Sequence, residues 1–229
     1  MGSIQQSLEE VRRRIAGAAL RSGRNRAEIE LVAVSKMVDI SRIREGIAAG
    51  IKILGENRVQ EAEEKIAELG RSVNWHLVGH LQTNKAKLAV SLFDLIHSLD
   101  SAHLAEALNR HGQMQGKVVS LLAEVNLARE ESKSGITPEA LIPLLRTCSG
   151  LSHLRILGLM AIPPFFEGAE EARPYFRRLR ELAAEISALG LPNIEMRHLS
   201  MGMSQDFEIA IEEGATLVRV GTAIFGTRG

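Results

Sequence analysis

Leu31-Val32-Ala33-Val34-Ser35-Lys36 is the stretch from which the rest of the chain can be read. Five short, mostly apolar and partly β-branched residues make a buried strand, and a lysine stands where the strand stops. Comparable runs recur near 51–54, 75–79, 94–97, 118–125, 154–160, 194–199 and 216–220. Amphipathic segments at helical spacing lie between them, for example Val59, Ala62, Ile66 and Leu69. Regular strand–helix alternation implies parallel strands. About eight such units in one chain predict an α/β fold, a (β/α)8 TIM barrel. The opening helix, from about Ser3 to Ser22, is extra and takes the place of a helix missing after the eighth strand. An open doubly wound sheet is the alternative.

Local signals agree with the alternation. Asp39, Asp100 and Thr137 precede helical runs, and Pro138 occupies a first helical position. Gly50, Gly70, Gly112 and Gly190 fall where helices are expected to end. No linker, repeat or low-complexity segment interrupts residues 1–229, which read as a single domain. The loop Pro163-Pro164-Phe165-Phe166-Glu167-Gly168 is the most distinctive insertion.

Composition narrows the function. The 28 basic and 28 acidic residues cancel, which gives no reason to expect a nucleic acid or an anionic membrane as partner. Aromatic residues are only 3% of the chain, too few for base-stacking platforms. Cys148 is the single cysteine, so a disulfide framework and a cysteine-based zinc site are excluded. The polar N-terminus does not read as a signal peptide, and a cytoplasmic location is the default expectation.

A barrel places its chemistry at the C-terminal ends of its strands. Here those ends carry Lys36, Gly55-Glu56-Asn57-Arg58, Gly79-His80, His97-Ser98, Glu124-Val125-Asn126, Gly158-Leu159-Met160, Ser200, and Arg219 to Gly221. Phosphate sites commonly lie after strands seven and eight. Ser200-Met201-Gly202-Met203-Ser204 and Val218-Arg219-Val220-Gly221-Thr222 fall there, with hydroxyls and glycines that let backbone approach closely. A helix beginning near Ser204 would aim N–H groups at an anion. Barrel closure sets Lys36 beside this cradle. A lysine there can be a counter-ion, the imine-forming amine of an aldolase, or the Schiff-base partner of pyridoxal 5'-phosphate. Arg219 differs in parity from Val218 and Val220, so it points into the mouth, where a pyridine nitrogen is one partner for it.

These residues resemble the pyridoxal phosphate homeostasis protein family, which is similar in turn to the barrel domain of alanine racemase. The resemblance runs from about Leu8 to Gly226. Its strongest pieces are Ala33-Val34-Ser35-Lys36, Gly55-Glu56-Asn57-Arg58-Val59-Gln60-Glu61 and the run from Trp75 to Lys85. Gly158-Leu159-Met160, the run from Ser200 to Phe207 and Val218 to Thr222 complete it. It implies a pyridoxal 5'-phosphate imine on Lys36. It also implies phosphate contacts from Ser200, Gly221 and Thr222, Arg219 at the ring nitrogen, and Asn57, His80, Met160 and Met201 around the pocket. Where the family often continues after its lysine with threonine and soon proline, this chain has Met37-Val38-Asp39. Racemases use a tyrosine from a further domain as second acid/base. Here the chain closes soon after the barrel, and its one tyrosine, Tyr175, is expected on a helix away from the mouth. The resemblance therefore implies a carrier that buffers the cofactor and delivers it to apo-enzymes, with little or no turnover and as a monomer. A racemase is the alternative.

Plainer readings stand beside these. Arg219 could form an interior ion pair with Glu124 or Glu195. His76 and His80 have i, i+4 spacing, but on a strand and without the motif of a zinc helix, so His76 reads as packing. Met160, Met201 and Met203 also fit as core filler. Glu56 and Glu61 also read as helix N-terminal charges. The cluster Arg173, Arg177, Arg178 and Arg180 reads as a solvated helix face.

Overall fold

Eight strands pair in chain order, every neighbour parallel, and the eighth closes on the first. This computed structural model describes residues 3–130 and 133–226. The strands are β1 (Glu30–Val34), β2 (Ile53–Glu56), β3 (Asn74–Leu77), β4 (Leu95–Leu99), β5 (Val119–Glu124), β6 (Leu154–Met160), β7 (Ile194–Ser200) and β8 (Leu217–Val220). They coincide with the predicted runs to within about two residues at each end. The helices are α1 (Ile4–Arg21), α2 (Ile40–Ala48), α3 (Val59–Leu69), α4 (Ala86–Leu92), α5 (Ala102–Gln115), α6 (Pro138–Ser149), α7 (Arg173–Ser187), α8 (Phe207–Glu212) and α9 (Thr222–Phe225). The fold is the TIM barrel, and the open sheet is excluded by the β1–β8 ladder from Glu30↔Leu217 to Ala33↔Val220.

Strand alternation divides the core in two. Inside the barrel Val32, Ile53, Val78, Leu95, Leu122, Met160 and Leu217 form a compact plug. Outside it a larger apolar layer, including Trp75, Leu77, Ile96 and Val218, packs against the helices. The eighth strand is followed by a helix after all, the one-turn α9, and α1 packs across α9, α8 and α2. A capping box at Ser3 starts α1, and Ile4, Leu8, Val11 and Ile15 form its buried stripe.

Two boundary signals resolve differently from their sequence reading. α5 is capped by Ser101, whose Oγ accepts from Leu104 N–H at 3.3 Å, while Asp100 faces His80. Gly112 lies within α5, where an added Cβ would sit 3.0 Å from the Lys117 carbonyl oxygen; the left-handed cap is Gly116. Among the described residues no helix is long and apolar enough to cross a membrane.

Candidate functional site

The C-terminal mouth of the barrel holds a cavity of about 790 Å³. Five of the predicted residues line it: Lys36, Asn57, Arg219, Gly221 and Thr222. His80 lines an adjoining cavity of about 280 Å³ that shares Asn57, Val78, Lys133 and Ile162 with the first. Three predicted residues lie elsewhere. Met160 belongs to the barrel plug, Met201 to the outer apolar layer, and Ser200 is wholly buried beneath the lining. Parity explains Met201: Ser200 faces inward, so the next side chain turns outward to the helices.

Lys36 sits one residue beyond the buried Ser35, and the chain turns sharply there. Val38 N–H donates to the Ser35 carbonyl at 3.0 Å, and Met37 takes a positive φ of 58°. Outside the barrel wall, under this turn, lies a buried charged cluster. Lys65 Nζ on α3 donates to the Ser35 carbonyl oxygen at 2.6 Å, to Glu56 Oε1 at 2.8 Å and to Glu61 Oε1 at 2.7 Å. The Ser35 hydroxyl donates to Glu56 Oε1 at 2.6 Å, and Met37 N–H donates to Glu61 Oε1 at 2.6 Å. Burial pushes the Glu56 carboxyl above its ordinary range, against the pull of Lys65 and Ser35. Burial acts the same way on Glu61, but the bonds from Lys65 and Met37 outweigh it and hold that carboxyl below its ordinary range. Glu56 and Glu61 are thus the acceptors of a buried cation rather than mere helix N-terminal charges. The sequence carried a signal for this: Lys65 follows Ala62 by three residues, on the face of α3 that is otherwise apolar.

Inside the barrel, Arg219 points to the mouth as its parity predicts. It is 4% exposed, and burial pushes its pKa down to about 10. Its direct partners are neutral: Nη1 donates to Ser200 Oγ at 2.6 Å and Nη2 to the Ala161 carbonyl at 3.0 Å. Glu124 favours its charge only from a distance, and Glu195 pairs instead with Arg155 and Arg197. Ser200 Oγ also meets His97 Nδ1 at 2.9 Å, and His97 Nε2 meets His76 Nδ1 at 3.0 Å. An arginine only donates. Ser200 therefore accepts from Arg219, and its own hydrogen has His97 Nδ1 as its one acceptor among the described partners. His97 then carries its hydrogen on Nε2 and passes it toward His76. Burial lowers the His76 pKa to about 3 and that of His97 well below the ordinary value, so both rings are neutral. His76 is thus a link in a polar relay rather than packing alone.

The loops after β7 and β8 lie side by side at the mouth, where the sequence reading expects a phosphate cradle. Gly202 lets the loop after β7 lie against α8, and Gly221 lets the loop after β8 lie against the end of β1. A Cβ at Gly202 would lie 2.5 Å from Ala210 Cβ, and one at Gly221 would lie 3.1 Å from the Val34 carbonyl oxygen. Ala223 N–H donates to Ser204 Oγ at 3.4 Å, tying the loops. The helix begins at Phe207, later than Ser204. Asp206 caps the intervening turn by accepting from Met203 N–H at 2.6 Å. The Ser200 hydroxyl bridges Arg219 and His97 below the cavity lining, and Ser204 stands in the lining itself.

Around the opening stand Ile162, Phe165 and Met203, all exposed, with Met37 beside Lys36. Tyr175 does not line the cavity, though its ring packs 5.7 Å from that of Phe166, which does. In the smaller cavity Glu124 is 7% exposed. Burial, with Asp100, pushes its pKa up to about 7 against the pull of Arg219. Among the described residues no group of three or more His, Cys, Asp or Glu is gathered to hold a metal ion.

Residues 7–229 match the family described as the alanine racemase N-terminal domain. A pyridoxal phosphate homeostasis protein of Aquifex aeolicus is 46% identical over 222 residues, 96% of either chain. This chain belongs to the pyridoxal phosphate homeostasis protein family. Among solved structures, a protein from Bifidobacterium adolescentis superposes with a TM-score of 0.93 at 38% identity, covering 97% of this chain and 94% of that one. PipY of Synechococcus elongatus was solved with pyridoxal phosphate bound. It superposes with a TM-score of 0.84 at 42% identity, covering 97% of this chain and all of that one.

Proposed function

We propose that this protein binds pyridoxal 5'-phosphate in the mouth cavity and serves its homeostasis as a carrier. The observation that carries this is the convergence of Lys36, Arg219 and the glycine-built cradle of Gly221, Thr222 and Ser204 on one cavity. The donor set fits the cofactor. A lysine amine suits an aldehyde, hydroxyls and close backbone suit a phosphate, and a buried arginine suits a ring nitrogen that carries no proton. Bound pyridoxal phosphate supplies an aldehyde carbon and an electron-poor ring. Lys36 would hold it covalently, Thr222 and Ser204 would hold its phosphate, and Asn57 would flank it. Arg219 would keep the ring nitrogen unprotonated, which weakens the ring as an electron sink and favours holding the cofactor over reacting through it. The names of the relatives support the same reading. We also infer delivery to apo-enzymes, a monomer and a cytoplasmic location.

The test is the visible spectrum of purified protein loaded with pyridoxal phosphate, wild type beside Lys36→Ala. The expected outcome is a band that borohydride bleaches and that the variant lacks entirely. A wild type that stays colourless overturns the proposal.

A further inference from the structure

We propose that Lys65 and Glu61 are positioning residues that set where the Lys36 amine stands. Lys36 ends a long flexible side chain, so the reach of its amine depends on how firmly its backbone is held. The turn that presents it has a single backbone hydrogen bond of its own, from Val38 N–H to the Ser35 carbonyl at 3.0 Å. Met37 adopts a left-handed φ that disfavours a side chain bearing a Cβ. Its N–H bond to Glu61 fixes it there. Glu61 Oε1 is in turn gripped by Lys65, and the same ammonium takes the Ser35 carbonyl. The residues on either side of Lys36 are therefore tied to one buried cation, Ser35 directly and Met37 through Glu61. Glu56 closes the ring by accepting from both Lys65 and the Ser35 hydroxyl.

A cluster serving only to glue α3 to the barrel would need no bond to Met37, whose side chain is exposed. The Met37 bond reaches past the packed interface to the residue after the reactive lysine. It joins the only positive-φ residue of this turn to the cluster. A two-sided tether narrows the volume searched by the amine and keeps it facing the cavity, which is the orientation that bond formation requires.

This inference rests on the cofactor reading, and the experiment separates the two. Glu61 is half-buried in the first turn of α3, so Glu61→Ala is expected to leave the fold intact, confirmed by its unfolding midpoint. In the cofactor-free protein, Lys36 is modified by formaldehyde and cyanoborohydride and followed by peptide mass spectrometry, with exposed Lys52 as internal reference. Glu61→Ala is expected to change the Lys36 rate at least three-fold and leave Lys52 unchanged. Pyridoxal phosphate titrated into the same variant is expected to bind about ten-fold more weakly, with the pH midpoint of its visible band shifted. Glu61→Gln, which keeps an acceptor for Met37, is expected to recover most of the wild-type behaviour. Wild-type Lys36 reactivity and wild-type cofactor affinity in Glu61→Ala overturn the inference while leaving the carrier reading standing. A changed Lys36 rate in a protein whose wild type binds no pyridoxal phosphate supports the tether and removes the carrier reading.

Discussion

Two buried polar networks meet at the barrel mouth, and they are built in opposite ways. The one outside the wall, beneath Lys36, is ionic: Lys65 among Glu56, Glu61 and Ser35. The one inside the wall, behind Arg219, is neutral apart from that arginine: Ser200, His97 and His76 in series. The first holds chain, gripping backbone atoms on both sides of one residue. The second holds a side chain, fixing a guanidinium by a relay whose hydrogens all run one way. A charge buried with its counter-charges tolerates neutral pH and resists loss of either partner poorly. A neutral relay carries little net charge but fails when a proton is forced onto it.

The largest expected effect probes the ionic side. Lys65→Met leaves the wholly buried Glu56 carboxyl without its counter-charge, beside the half-buried Glu61, and should cost about 3–5 kcal/mol of stability in urea unfolding. A loss below about 1 kcal/mol would mean that the cluster is wetter than its burial indicates. Acid probes the neutral side. His76 and His97 have folded pKa values depressed below the ordinary 6.5, so the unfolded chain takes up protons that the folded chain refuses. Stability is therefore lost as pH falls below about 6.5, by about 2 kcal/mol for His76 between pH 7 and 5, with His97 acting in the same direction. Glu124 works in the other direction, because its raised pKa makes the folded chain hold a proton longer. The clean reading is the difference in pH slope between wild type and His76→Phe, in which the Glu124 contribution cancels. A variant with the wild-type slope would show that the relay already admits a proton. The smallest effect is expected from Ser200→Ala, which strands one Arg219 N–H and one His97 nitrogen. It should cost about 1–2 kcal/mol in the same unfolding assay, and no change would mean that a water takes the place of the hydroxyl.

The same two networks show what could be read from the sequence. Strand ends, order and closure were legible because alternation and length constrain a barrel tightly, and Lys36, Arg219, Gly221 and Thr222 followed from them. The relay was not legible. Which histidine meets which depends on stagger between strands, and the ladder slips between Ile96 and Leu99, Leu121 and Leu122, and Ile156 and Gly158. A slip of one residue exchanges inside for outside. Ser200 and Met201 show the effect: motif position set both at the cavity, whereas Ser200 bonds Arg219 beneath the lining and Met201 packs in the outer apolar layer. Lys65 was missed for another reason. A lysine four residues after a glutamate on a helix has the ordinary look of a surface pair, and only its place on an apolar face argued otherwise.

The ladder between β8 and β1 also carries a meaning for synthesis. Lys36 emerges from the ribosome early, but the loops that face it span residues 202 to 222 and come into place only when β8 docks against β1. A nascent chain lacking its last strand has the lysine and no cradle. The mouth cavity is then a product of the finished ring rather than of any early part of the chain. Chains halted before the last strand would carry Lys36 without the loops that enclose the cavity with it.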